Sequence, residues 1–200
     1  MAKYRWLIVS VLALAIAHLL DGLFYEHVRY ADVNTEDWGR LLRVMGFLPT
    51  WLLAAIALAL HDRFEPWRFR RAYLLLFAPA LSGLAGEILK ITIRRLRPGD
   101  TGEYVFRAFT ERPFSSGGLG MPSSHAVVAF GAAAMLSRLF PRARPVWWLL
   151  GWGCGLTRVL HGRHFFSDIV LAAIVGWLIA ALLWSKWPAT EGAYASRPVH

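Results

Sequence analysis

Apolar residues run in six long blocks along this chain, roughly 5–24, 44–61, 72–93, 122–140, 146–162 and 165–186. A helix rises about 1.5 Å per residue, so about 20 mostly apolar residues cross the hydrocarbon core of a bilayer. Each block therefore predicts one membrane-crossing helix, with tilt or local thinning for the short second and fifth. His18 and Asp21 interrupt the first block near its end, and Glu87 and Lys90 interrupt the third. Trp6, Trp51, Trp67, Trp147, Trp148, Trp184 and Trp187 fall near predicted helix ends, where aromatic belts form. The expected fold is all-α: a polytopic membrane protein with six transmembrane helices in one bundle. Residues 1–200 read as a single membrane-embedded domain, with a short polar tail at about 188–200.

Composition sharpens this. The 200 residues are 56% hydrophobic and 18% charged, with a mean hydropathy of +0.42. Soluble globules carry about 25% charged residues, so neither a disordered chain nor an ordinary soluble bundle fits. The one cysteine, Cys154, excludes an intrachain disulfide framework and a Cys-based zinc site, and reads as a small buried packing residue. The net charge of +9 would suit nucleic acid, but in so apolar a chain the expected partner is a bilayer with anionic headgroups. Gly151 and Gly155 form a GxxxG pattern, read as close packing within the bundle rather than as a dimer contact. The sequence leaves the oligomeric state open. Lys3 and Arg5 precede Ala15-Ile16-Ala17, which resembles a signal-peptide cleavage site, but the apolar run continues past it and the first helix is expected to be retained.

Orientation follows from basic residues. With the N-terminus in the cytoplasm, the inner segments hold Lys3, Arg5, Arg63, Arg68, Arg70, Arg71, Arg138, Arg142, Arg144, Lys186 and Arg197, which is half of the 22. Six of the others, Lys90, Arg94, Arg95, Arg97, Arg158 and Arg163, fall in a candidate anion site, leaving five outside. The positive-inside rule then favours this orientation, with the protein in the cytoplasmic (inner) membrane.

Three polar clusters carry the chemistry. Lys90 and Arg97 are seven residues apart at the end of the third block, on one face if the helix continues, with Pro98 helping to end it. Met121-Pro122-Ser123-Ser124-His125 opens the fourth block, where proline suits a first turn and free backbone N–H groups attract an anion. Thr157-Arg158 and His161-Gly162-Arg163-His164 lead to Asp168 between the fifth and sixth blocks. His164 and Asp168, four apart, share a helical face and can bond. Alternation of the spans puts all three clusters on one membrane side. A phosphate carries about −1.5 to −2 charges near neutral pH, which Lys90, Arg97 and Arg158 can neutralise electrostatically. His164 can attack phosphorus with Asp168 holding its tautomer, and His125 can protonate the leaving oxygen. No acidic cluster suits Mg²⁺, so the expected chemistry needs no metal or other cofactor.

The order Lys-x6-Arg-Pro, Pro-Ser-x-His, Arg-x5-His-x3-Asp resembles the type 2 phosphatidic acid phosphatase superfamily, membrane lipid phosphate phosphatases related to vanadium haloperoxidases and glucose-6-phosphatase. The likeness runs from Lys90 to Asp168. It implies that Lys90, Arg97, Ser123 and Arg158 bind phosphate. It makes His125 the acid, His164 the nucleophile that forms a phosphohistidine, and Asp168 its partner. Ser124 stands where the family often has Gly, and Thr157 where it often has Ser; Ser124 is counted with the phosphate-binding set.

The expected activity is hydrolysis of a phosphomonoester or diphosphate on a membrane lipid, with the site facing the periplasm or exterior. Undecaprenyl diphosphate, phosphatidylglycerophosphate, phosphatidic acid and lipid A are the candidate substrates. A lipid phosphotransferase using the same intermediate, or a non-catalytic transporter or structural protein on the same frame, are the alternatives. A haloperoxidase does not fit, because those relatives are soluble. Glu87 is read as an ion-pair partner for Lys90 at i, i+3. His161 and Arg163 are read as solvated flank residues, His18, His27 and His61 as structural or interfacial, and Gly117-Gly118-Leu-Gly120 as a flexible loop.

Overall fold

The apolar blocks do become helices, though not one for one. A computed structural model describes residues 2–64 and 68–187; the expected belt residue Trp67 and the polar tail at 188–200 lie outside them. The α-helices are α1 (Ala2–His27), α2 (Asp37–Val44), α3 (Leu48–His61), α4 (Arg68–Ile93), α5 (Ser124–Leu139), α6 (Arg144–Leu160) and α7 (Phe166–Lys186). Short 3-10 turns at Ala31–Asn34 and Pro141–Ala143 join α1 to α2 and α5 to α6. Among the described residues there is no sheet; two isolated bridges, Arg95 with Phe106 and Leu96 with Leu119, pin the loop after α4.

The second block, expected as one helix over 44–61, is instead the end of α2, a break, and α3, with the two helices bent by 64°. Pro49 in the first turn of α3 has no N–H to donate to Met45 O, so a straight helix cannot run through it. The indole of Trp51 donates to that carbonyl instead, at 2.8 Å. Among the described residues, three helices are long and apolar enough to cross a membrane: α1 over Tyr4–His27, α4 over Phe69–Ile93, and α7. The bent α2–α3 pair makes a fourth if it is one span. At 16 and 17 residues, α5 and α6 are shorter.

α5 forms the centre. Every residue from Ala126 to Ser137 is buried, enclosed by α4, α6 and α7. Its Gly-Ala-Ala-Ala stretch at 131–134 lets neighbours approach to backbone contact. A Cβ on Gly176 of α7 would lie 2.6 Å from Gly131 N, and one on Gly151 of α6 would lie 3.2 Å from the Ala133 Cβ. A Cβ on Gly155 would run into the Ile169 side chain of α7. The GxxxG pair therefore packs inside the bundle, as expected, and Cys154 beside it is buried and free. α1 lies along α7, with Trp6 stacked on Trp177 at 4.3 Å between ring centroids and Phe24 on Phe166 at 4.4 Å.

The bundle has two chemically different ends. At one, Arg71 pairs with the buried Asp62 at 2.9 Å and Arg70 donates to Trp187 O. At the other converge the end of α4, the start of α5, the α6–α7 junction, the last third of α1 and the α2–α3 break.

The Gly131–Gly176 crossing generates a stability prediction. Gly176→Ala forces a methyl into backbone atoms that cannot swing aside, at a cost of about 1–3 kcal/mol. Its Tm in detergent should fall by several degrees, whereas Gly22→Ala, which has nothing within 4 Å of the added carbon, should not lower it.

Candidate active site

The first cluster is shaped by the way α4 stops. α4 ends at Ile93 because Arg94 takes a left-handed conformation with φ of 61°, while its N–H closes on Lys90 O at 2.8 Å. A non-glycine residue seldom sits there. Arg94 is held by its own buried guanidinium, which donates to Arg107 O, Ala108 O, Glu111 O and Pro113 O at 2.5–3.4 Å. The chain then runs extended, so Lys90 and Arg97 do not share a helical face, and the helix ends five residues before Pro98. Lys90 is buried and bridges to Glu87 at 3.1 Å, as the i, i+3 spacing predicted, and also donates to Ser124 Oγ. Ser124 donates to the same Glu87 oxygen at 2.6 Å. Arg97 is exposed, and its guanidinium pairs with no carboxylate among the described residues.

The second cluster differs from expectation in one detail. Pro122 precedes the helix through a cis Met121–Pro122 peptide bond, and Ser123 occupies the cap position of α5. Ser123 Oγ is fully buried with no protein partner. His125 is half-buried, with Arg158, Arg43, His164 and Lys90 in electrostatic reach. A Cβ on Gly46, in the α2–α3 break, would lie 2.7 Å from His125 Cβ, so the break covers this histidine closely.

In the third cluster, His164 and Asp168 do meet, at 3.2 Å between Nδ1 and Oδ2, but not on a helical face. His164 lies before α7, and Asp168 sits in the first turn, where its Oδ2 also accepts the Phe165 N–H at 2.9 Å. The contact is a capping geometry at a helix N-terminus. An Nδ1–H donated to Asp168 leaves Nε2 with the lone pair. Burial pushes the His164 imidazole below its ordinary pKa; Asp168 opposes this, while Arg158 and Arg97 add to the depression. Arg158 is buried, and its Nε has no protein partner.

Backbone contacts lock the clusters together. Ser123 N–H donates to Asp168 O at 3.4 Å, and Gly120 N–H to Arg95 O at 2.7 Å. A Cβ on Gly120 would lie 3.2 Å from Asp168 Oδ2 and 3.1 Å from Leu96 O, so this glycine is required by close approach. The glycine run at 117–120, expected as a flexible loop, is instead tied down: Arg97 N–H donates to Gly118 O at 3.0 Å, and Arg107 donates to Gly117 O.

Two residues behind the site escaped the motif reading. Arg95 Nη2 donates to Asp168 Oδ1 at 2.6 Å and to Ser167 Oγ at 2.7 Å. Asp21 of α1 accepts the Ser167 N–H at 2.7 Å and the Tyr104 hydroxyl at 2.7 Å, and lies 3.9 Å from Arg95. Burial, then Asp21, raises the pKa of the Tyr104 phenol, so it remains a donor. The signal was a carboxylate in an apolar helix, which rarely occurs without a partner. Arg94 and Arg95 are thus engaged with protein groups and do not belong to the anion site. Arg43, in reach of both Arg158 and His125, was not anticipated either. His161 bonds Ala31 O at 3.1 Å.

Lys90, Ser124, His125, Arg158 and His164 at one end of a helical bundle, with Asp168 behind them, invite comparison with known proteins. The family model described as PAP2 superfamily matches residues 71–191. The chain belongs to the PAP2 superfamily. Relatives include a lipid A 1-phosphatase of Rhizobium etli, 34% identical over 110 residues, covering 52% of this chain and 47% of that protein. Another, from Rhizobium johnstonii, is 32% identical over 117 residues, covering 56% of this chain and 47% of that protein. The chain spans about half the length of these curated relatives. The crystal structure of a transmembrane PAP2 type phosphatidylglycerolphosphate phosphatase from Bacillus subtilis shares the fold, with a TM-score of 0.66 at 18% identity. The match covers 92% of this chain and 96% of that one. Helices of membrane-crossing length and this shared fold make this PAP2 protein an integral membrane protein.

A stability prediction follows from His164. Its folded pKa lies below the unfolded value of about 6.5, so between the two the unfolded chain binds more protons and acid favours unfolding. Stability should fall as pH drops below about 6.5, and denaturant unfolding of His164→Gln should lack that component.

Proposed function

We propose that this PAP2 protein hydrolyses a phosphomonoester or diphosphate on a membrane lipid through a phosphohistidine on His164, without a metal. The observation that carries this reading is His164, with Nδ1 on Asp168, lying in a shell of polar groups that lack protein partners. Arg158 Nε and Ser123 Oγ are buried without partners, and Arg97 is unpaired. Such groups favour an anion that supplies their hydrogen bonds. Lys90, Arg97, Ser123, Ser124 and Arg158 bind the phosphate in this reading, with Glu87 holding Lys90 and Ser124.

The chemistry runs in two balanced steps. His164 Nε2 attacks phosphorus as the bond to the lipid oxygen breaks, and His125 gives its proton to that oxygen. Water then attacks the phosphohistidine, His125 takes the water's proton, the P–N bond breaks, and inorganic phosphate leaves. The net reaction consumes one water and yields a lipid hydroxyl from a monoester, or a lipid monophosphate from a diphosphate. The fixed cations meet the charge on the equatorial oxygens in both transition states. A lipid hydroxyl replacing water would make the same enzyme a phosphotransferase. Relatives named lipid A 1-phosphatase favour a lipid A-type glycosyl phosphate over the other candidate lipids.

Six spans remain the proposed topology. A length criterion concerns helices that face lipid, and α5 is enclosed by its neighbours, so 16 residues serve a helix that thins nothing around it. With Arg94 and Arg95 engaged internally, four rather than six cations are set aside as anion ligands, and the inner count of eleven still exceeds the outer count of seven. We place the site at the periplasmic or exterior face of the inner membrane.

Two experiments test this. Purified enzyme in EDTA, assayed over the four candidate lipids, should release phosphate fastest from lipid A and trap acid-labile phosphate on wild type. His164→Ala should lose at least about a thousandfold in kcat and trap none; substantial turnover by this variant would sink the nucleophile assignment. For sidedness, Thr110→Cys in a Cys154→Ala background should react with a membrane-impermeant thiol reagent in outer-membrane-permeabilised cells. Arg142→Cys should react only once the inner membrane is opened, and the reverse pattern would place the site in the cytoplasm.

A further inference from the structure

Asp168 is shared among three donors. Its Oδ2 accepts from His164 and from the Phe165 N–H, while its Oδ1 takes the Arg95 guanidinium at 2.6 Å. Arg95 in turn faces Asp21, and Ser167 bridges these two by accepting from Arg95 and donating its N–H and hydroxyl to Asp21. Asp21, Arg95 and Asp168 are each 2% exposed or less. Tyr104 and Phe165 close over the guanidinium, with ring centroids 4.8 and 4.9 Å from its carbon, and His18 Nε2 lies 3.3 Å from Nη1.

We infer that Asp21 and Arg95 are positioning residues for His164, fixing the imidazole through Asp168 and balancing the charge behind it. The inference rests on the reading of His164 as nucleophile and names two residues that reading does not need. A buried carboxylate alone would orient the ring, but it would also favour the imidazolium, which has no lone pair for phosphorus. A guanidinium on the other oxygen offsets that pull and leaves the Nδ1–H bond in place. Arg95 Nη2 is taken by Asp168 and Ser167 while its Nε has no protein partner, and Asp21, brought in by α1 to 3.9 Å from Nη1, sets a second carboxylate beside the buried cation. The assembly then carries one net negative charge, spread over two carboxylates, against which the ring can become positive as its P–N bond forms.

The other charged and titratable groups that act on His164 bond neither Asp21 nor Arg95. They are Arg158 from α6, Arg97 after α4 and His125 from α5. Arg43 of α2 reaches the site through Arg158 and His125, Arg163 is its neighbour in sequence, and Arg29 of α1 lies against Gly162. Asp168, Arg95, Asp21, Tyr104 and His18 form the back.

The test uses full-length enzyme in detergent and the pH dependence of kcat/KM for a lipid phosphate. Removing positive charge with Arg95→Gln should move the acid limb up by about one pH unit. Removing negative charge with the nearly isosteric Asp21→Asn should move it down. Both should lower plateau kcat by about tenfold to a hundredfold, the scale of outer-shell partners of a ligating histidine, with KM within about twofold. Arg95→Lys should bring the limb back while restoring only part of kcat, because one ammonium replaces the fork. A histidine NMR titration, with His164 assigned by comparison with His164→Gln, should show the same opposite shifts even in variants too slow to assay.

Limbs and titrations that stay in place in both variants, or move in the same direction, would overturn the inference and leave Asp21–Arg95 as a tether for α1. Retained turnover in His164→Ala would remove the nucleophile reading itself. An inactive His164→Ala with unmoved limbs overturns the positioning role alone.

Discussion

The Asp168 carboxylate is the contact on which the rest of this end of the molecule depends. It is fully buried, and no lone carboxylate is stable in such a place. Three donors from two parts of the chain meet it: the His164 ring and the Phe165 N–H just before α7, and the Arg95 guanidinium after α4. Each bond restricts something different. The first sets the imidazole's tautomer, the second fixes where α7 begins, and the third draws in the chain after α4 and, through Asp21, α1. The close approach of Gly120 belongs to the same constraint, since a side chain there would meet the carboxylate.

Three arginines within four residues show how little the residue type alone says about role. Arg94 turns inward, ends α4 in a left-handed conformation and organises the 107–113 loop through its carbonyls. Arg95 turns to the back of Asp168. Arg97 alone remains open to an anion. All three carry the same charge and the same rigid fork of donors; what separates them is which acceptors the fold leaves unfilled around each. The glycine-rich loop is tied down for a related reason, because Arg107 and the backbone of Arg97 engage its carbonyls.

A short, fully enclosed α5 makes this convergence possible. Its small residues let α4, α6 and α7 close to backbone distance, which brings the end of α4 and the start of α7 to the N-terminus of α5. Larger residues along 131–134 would move those helix ends apart. The same enclosure explains how a helix too short to pass a simple membrane-length criterion can occupy the centre of a membrane bundle.

The sequence determined the apolar blocks, the all-helical class and the residues with candidate chemistry, because hydropathy and motif spacing are local properties. The Lys90–Glu87 pair and the His164–Asp168 contact were legible for the same reason, as both are only three or four residues apart. Spacing misled where a helix ended early: at Arg94, which separated Lys90 from Arg97; at Pro49, which split the second block; and before Phe166, which made the histidine–aspartate contact a cap. Asp21 was visible as an oddity, but its partners lie 74 to 146 residues away, at Arg95, Tyr104 and Ser167. Only the tertiary structure decided which guanidiniums are engaged by the chain's own acceptors and which are left open. That depends on the acceptors within about 3 Å of each guanidinium, and no one-dimensional pattern encodes them.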